Sequence, residues 1–234
     1  MRRLERSKEP DILTKSKPKW TTTFLDKRKK NEKIRPSSTQ YGHEQITDAL
    51  AAMSFHKCFY CEQYVKDRAE VDHYIEVEER PDLAFEWSNL YLSCFDCNRR
   101  KENNIRRPTT QCIDPCDPST SPTDHLTFDD EFIRGSSSLG SATIQKYLLS
   151  RDDLDHKRLK TLKCFYQAVI AIEQSMNVAH RSSMNSAELE FLRSFAAPER
   201  PFSLMFHVLL KRTGYMRAEE RSDPGHLSAL TVDA

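Results

Sequence analysis

Two Cys-x-x-Cys pairs, Cys58/Cys61 and Cys94/Cys97, constrain this chain more than anything else in it. Four thiolates fill every position around a tetrahedral zinc ion, so such a site staples a fold and leaves no open position for chemistry. Any reaction therefore belongs to what lies between and just after the pairs. The spacing makes room for it: 32 residues separate Cys61 from Cys94, against about 15–20 in a simple zinc ribbon. Inside this insert stand Asp72-His73 and, just before the second pair, Trp87-Ser88-Asn89-Leu90. Directly after Cys97 come Asn98, Arg99, Arg100 and Lys101. The competing reading is a plain zinc-stapled module whose Asp, His and Asn are incidental. The coincidence of four separate positions weighs against it.

In type and order these residues resemble the HNH nuclease family, over about residues 55–105. That family carries Asp-His, then Asn, then His or Asn directly after the second knuckle, on a ββα-metal core. His73, Asn89 and Asn98 read as its H-N-N variant. The sequence departs at Glu76, where many members have proline, which bears on a turn and not on the ligands. A wider similarity reaches the PtuB family, the HNH subunits of Septu-type and retron-associated anti-phage systems. It is carried by an N-terminal arm with Arg and Pro, Tyr41, residues 58–62, residues 87–90, Ile113-Asp114-Pro115, residues 125–128 and Thr143-Ile144. Ser150 stands where that family is expected to have asparagine. The resemblance implies a PtuA-like AAA/ABC-type ATPase as partner, and in some systems a retron reverse transcriptase with its msDNA.

The residue types suit phosphodiester hydrolysis, which needs an activated water, charge stabilisation and help for the leaving alkoxide. Asp72 and Asn98 offer hard oxygen ligands for Mg²⁺ or Mn²⁺. A neutral imidazole at His73 can accept a proton from water near pH 7. Asn89 is expected to orient that ring or its supporting backbone, although alone it would read as a turn residue. Arg99, Arg100 and Lys101 are expected to hold flanking phosphates, with a solvated helix face as the alternative. Asp114 and His125 are second-tier candidates. Cys112 and Cys116 lack further ligands at knuckle spacing, and Cys164 reads as a buried core residue.

Net charge is +1 over 234 residues and excludes nothing. Its distribution says more. Residues 1–35 hold thirteen Lys/Arg against five Asp/Glu, whereas residues 70–86 hold seven acids against Arg80 alone. A basic arm can follow phosphates or be a solvated flank. No apolar run approaches the roughly 20 residues of a membrane span, and the basic start lacks the apolar stretch of a secretory signal. A cytoplasmic protein with reduced thiols is expected.

The fold class expected is α+β: a zinc-stapled ββα-metal, treble-clef-like core with a mostly α-helical C-terminal domain. Residues 1–45 read as an extended basic arm with at most one short helix, and 46–107 as the zinc-bound nuclease domain. A helix runs from about His43 to Phe55 into the zinc module, two short strands fall in 58–76, and a helix begins at Asn98. Residues 108–141 form a surface connector, 142–214 a helical domain that docks a partner, and 215–234 a flexible tail. Leu159, Leu162, Phe165, Val169, Ile170 and Ile172 supply the apolar face of a long helix, and Asn185 with Glu188 a capping box. The function expected is a metal-dependent HNH endonuclease acting on nucleic acid, DNA by default. An RNA or tRNA nuclease and a non-cleaving zinc adaptor are the rivals.

Overall fold

The computed structural model describes residues 1–65, 69–103 and 105–216. The segment expected to be an extended arm contains a 20-residue helix, α1 (Asp11–Lys30). Its sequence hides the helix in two ways. The apolar stripe is sparse, with only Leu13 and Phe24 buried, and Pro18 lies inside, where proline ordinarily costs about 3 kcal/mol. Packing offsets that cost: Trp20 and Phe24 meet the buried ring of Phe85 at 5.6 and 6.0 Å between centroids. Lys17 bridges Glu9 and Glu86. The residues ahead of α1 are also bound. Arg6 donates to the carbonyls of Trp87, Ser88 and Leu90 and lies over the Tyr91 ring. Two of the arm's arginines, Arg2 and Arg6, are thereby spent on internal carbonyls.

A short helical turn, α2 (Ser38–Tyr41), leads into α3 (Glu44–Met53). The imidazole of His43 caps α3 by accepting from the Gln45 amide, and Ile46 and Leu50 bury its inner face. After α3 the chain makes the first knuckle. The hairpin expected over 58–76 shrinks there to one bridge, Lys57 to Tyr64, because the chain turns tightly around Cys58 and Cys61. Glu62 closes that turn in the left-handed region (φ 62°). The true hairpin lies further on. β1 (Ala69–His73) pairs antiparallel with β2 (Leu90–Cys94), setting Val71 opposite Leu92, Asp72 opposite Tyr91 and His73 opposite Leu90. Phe59 donates its amide to the Leu92 carbonyl, which hangs the knuckle on β2. Cys94 then caps α4 (Phe95–Arg100), its sulfur accepting from the Cys97 amide. The helix expected from Asn98 thus begins three residues earlier and ends before Lys101.

The expected connector is largely folded. It holds a one-turn helix, α5 (Pro122–His125), and a hairpin of β3 (Leu126–Asp129) and β4 (Phe132–Gly135). Buried Leu126, Phe128 and Ile133 show the alternation its polar composition concealed. Next comes α6 (Ser138–Lys146), capped by Ser137. It lies so close to the preceding turn that any Cβ at Gly140 would overlap the His125 carbonyl. The long α7 (Asp152–Val178), α8 (Ser186–Arg193) with its capping box of Asn185 and Glu188, and α9 (Ser203–Arg212) complete the helical half. Phe165, Phe195 and Phe206 form its aromatic centre. Of the expected face of α7, Leu162, Phe165 and Ile172 are buried while Ile170 is 52% exposed. Cys164 is exposed too, contrary to expectation, because it falls on the outer face of α7.

The helical half is stitched to the zinc knuckle. Lys57 donates to the carbonyls of Pro198 and Arg200, and Tyr64 donates to that of Glu199. Glu62 accepts from the Ser203 hydroxyl at 2.7 Å and from the Leu204 amide, pinning the start of α9. Among the described residues no helix is long and apolar enough to cross a membrane. The expected tail lies outside the described residues from 217 onward.

Candidate active site and zinc centre

One ligand atom from each of Cys58, Cys61, Cys94 and Cys97 lies within 4.8 Å of all the others. The Cys61 and Cys94 sulfurs are 3.8 Å apart, about the edge of a tetrahedron with metal–sulfur bonds near 2.3 Å. Hydrogen bonds, first from Cys58 and then from Cys61 and Cys97, hold the Cys94 thiol well below its ordinary range, while burial pushes the Cys58 thiol up. The donor set fits zinc. Among the described residues it is the sole group of three or more His, Cys, Asp or Glu side chains at ligand distance.

A cleft of about 980 Å³ opens beside β1 and α4, lined by Arg35, Tyr41, Asp72, His73, Glu76, Asn98 and Arg99 among others. His73, at the end of β1, is half-buried and stacks edge-on against Tyr41 at 4.8 Å. Its Nε2 lies 2.9 Å from the carbonyl oxygen of Ala84. A carbonyl can only accept, so Nε2 carries the proton and Nδ1 keeps its lone pair. Burial lowers the pKa of this imidazole, with help from nearby Lys101 and Arg35 and against the Ala84 carbonyl and Asp72. The ring is therefore neutral near pH 7.

Asn89 does not touch that ring. It is 4% exposed and works on the backbone around it. Its Oδ1 accepts from the Ile75 amide at 2.7 Å, while Nδ2 donates to the carbonyls of Ile75 and Leu83 at 3.1 and 3.2 Å. The Asn89 carbonyl takes the Tyr74 amide as well. One side chain thus ties the segment after His73 to the turn whose next carbonyl, on Ala84, holds the imidazole.

Asp72 is buried beneath the cleft. Tyr60 donates to its Oδ2 at 2.6 Å, and Lys101 reaches both oxygens at 3.2 and 3.0 Å. Carboxylate oxygens offer about four lone-pair directions, so three contacts leave room for one more ligand. Asn98 donates Nδ2 to Glu70 at 2.6 Å, which leaves its oxygen as the atom available to a cation. Asp72 and Asn98 thus fit a hard divalent ion by donor type, with few protein ligands and the remaining positions for water and phosphate.

The three basic residues separate. Arg99 stays exposed at the cleft, over the Phe95 ring and 3.9 Å from Glu70. Arg100 is exposed beside Asp96. Lys101 turns inward with a side chain 4% exposed, and its ammonium also contacts the carbonyls of His73 and Tyr74. It pairs with Asp72 at the floor of the cleft. The second-tier candidates have other tasks: Asp114 accepts from the Tyr91 hydroxyl at 2.6 Å, and His125 bonds the Ser137 cap. Sequence reasoning missed Arg35 and Glu70. Glu70 carried a signal, standing two residues before Asp72 on the same face of β1. Arg35 carried none, because only the fold brings it to the cleft.

A tetrathiolate cage under an antiparallel hairpin and a short helix, with histidine and asparagine around one cleft, defines a class of nuclease module. Residues 58–104 match the family model described as HNH endonuclease, and this segment is an HNH endonuclease domain. Beyond it the chain is similar to proteins named Septu protein PtuB. The one from Bacillus thuringiensis is 24% identical over 185 residues, covering 78% of this chain and 66% of that protein. The one from Bacillus mycoides (strain KBAB4) is 28% identical over 158 residues, covering 53% of this chain and 52% of that protein. The chain thus spans somewhat less than two thirds of one relative and about half of the other.

Proposed function

We propose that this chain hydrolyses phosphodiester bonds of nucleic acid, DNA by preference, as the nuclease of an anti-phage defence complex. The observation that carries the reading is the fixed tautomer of His73. Nε2–H is held by the Ala84 carbonyl, leaving Nδ1 as a neutral base beside the cleft. That nitrogen accepts the proton of the attacking water. Asn89 is a positioning residue, since its hydrogen bonds hold the backbone on which the imidazole depends. Asp72 and Asn98 would hold a Mg²⁺ or Mn²⁺ ion, which supplies charge stabilisation at the phosphate and the leaving oxygen. Arg99, and Arg35 from the segment after α1, offer positive charge at the rim for flanking phosphates. The attacking water makes a 2′-hydroxyl unnecessary, which favours DNA over RNA.

The names of the two relatives support a Septu setting, and in this proposal a PtuA-like ATPase partner and a cytoplasmic location are added to it. A retron reverse transcriptase with its msDNA finds no support in either name. Residues 142–214 are the docking region in this proposal, supported by apolar side chains exposed there, with Ile170 at 52%, Val178 at 83% and Phe191 at 52%. The test incubates full-length protein, alone and with the ATPase, with plasmid DNA and total RNA under Mg²⁺ and Mn²⁺. DNA cleavage that requires the cation is expected. Cleavage of RNA alone would replace the substrate, and cleavage of neither would return the adaptor reading. Ile170→Glu and Val178→Glu test docking, with loss of co-purification expected from proteins that keep their zinc.

A further inference from the structure

A residue far outside the HNH segment meets the zinc cage. Arg151, just before α7, is 8% exposed, and its Nη1 lies 3.6 Å from the Cys97 sulfur and 3.1 Å from the Leu148 carbonyl. Nε pairs with Asp153, which is itself 41% exposed, and Nη2 is buried without a hydrogen-bond partner among the described residues. Burying a guanidinium this way is costly unless a compensating charge lies close by. Four thiolates around Zn²⁺ carry a net charge of −2, and Arg151 stands at hydrogen-bond distance from one of them. Seven residues on, Arg158 is 2% exposed too, but it has its own partner in Asp155 at 2.6 Å.

We propose that Arg151 is an outer-shell partner of the zinc site, donating to the Cys97 thiolate and supplying counter-charge, so that docking of α7 depends on the metal. The inference rests on the zinc reading. The helical half then senses zinc through α7, at Arg151, as well as through the knuckle contacts of Glu62 with α9.

The test compares full-length zinc-loaded protein with Arg151→Gln, Arg151→Lys and Leu162→Ala. Readouts are zinc release to a chromogenic chelator and the sulfur-to-metal absorption of the Co²⁺-substituted forms. Loss of an outer-shell partner typically weakens metal binding on the order of 10- to 100-fold. Arg151→Gln should release zinc faster by about that factor and shift the Co²⁺ band. Arg151→Lys should fall between it and the parent, since one ammonium keeps the charge but cannot place separate nitrogens on the Cys97 sulfur and on Asp153 as the guanidinium does. Leu162→Ala, which loosens α7 away from the cage, should melt lower and release zinc at the parental rate. Parental release by Arg151→Gln would overturn the proposal. Should that variant fail to fold, parental release by Arg151→Lys would do the same. Equal acceleration by Leu162→Ala would also overturn it, because general loosening would then explain the effect. A parent that holds no zinc would instead overturn the zinc reading itself.

Discussion

Replacing Asn89 by alanine should cost more than its place in a loop suggests. The side chain makes three hydrogen bonds, one from the Ile75 amide and two to the Ile75 and Leu83 carbonyls, in a site 4% exposed. Each contributes about 1 kcal/mol net, so together they stabilise the fold by about 3 kcal/mol. In a chain of this size 1 kcal/mol moves the midpoint by about 2–4 °C, which gives a fall of roughly 6–12 °C. Asn89→Asp is the sharper probe. It keeps the acceptor for the Ile75 amide, loses both donations and faces two carbonyls with negative charge, so it should be no more stable than alanine. Thermal melting of the zinc-saturated proteins, followed by circular dichroism, measures both. The imidazole should lose its fixed position with the turn, so cleavage should fall even below the melting transition. An Asn89→Ala melt within a degree or two of the parent, or Asn89→Asp melting like the parent, would refute this account of the clamp.

Cys97→Ser should abolish stoichiometric zinc, read by elemental analysis, and unfold the hairpin and α4, since structural zinc contributes apparent binding energies of about 10–16 kcal/mol in small modules. Lys101→Met strands the Asp72 carboxylate with the Tyr60 hydroxyl alone and should destabilise by about 3–5 kcal/mol in urea titrations. Adding Asp72→Asn to it should recover part of that loss, and no recovery would mean that the two charges are not a pair. Burial, with Lys211 and Arg2 nearby, lowers the pKa of His207 to about 4. The unfolded chain, with histidine near 6.5, therefore takes up the proton first as pH falls. The stability His207 contributes is complete above about pH 6.5 and is lost toward pH 4. His207→Gln should flatten the slope of stability against pH in that window, and an unchanged slope would count against this assignment.

The zinc cage was legible because thiolates at knuckle spacing leave little alternative, and His73, Asp72 and Asn98 were legible as ordered neighbours of that cage. The partners of these residues were not. Lys101 follows two exposed arginines and reads as one of a basic run, yet a turn at the end of α4 swings it under Asp72. Asn89 could be assigned to the histidine or to its backbone, and only the path of residues 75–84 decides for the backbone. Helix α1 was hidden by Pro18 and a narrow apolar stripe, and its stabilising contact, Phe85, lies sixty residues away. The β3–β4 hairpin was masked by the Pro, Ser and Asp residues around it. Such elements are fixed by tertiary packing, to which local composition is blind.

The most direct test of the account is cleavage by His73→Ala, measured on zinc-loaded full-length protein with its ATPase, against the substrate the parent cuts. Zinc content should match the parent and the fold should survive, since His73 is not among the four zinc ligands and, among the described residues, its imidazole hydrogen-bonds only the Ala84 carbonyl. The rate should fall by about 10²- to 10⁴-fold, the usual contribution of a general base. Cleavage at the parental rate by that variant would contradict the central claim that the neutral imidazole of His73 activates the attacking water.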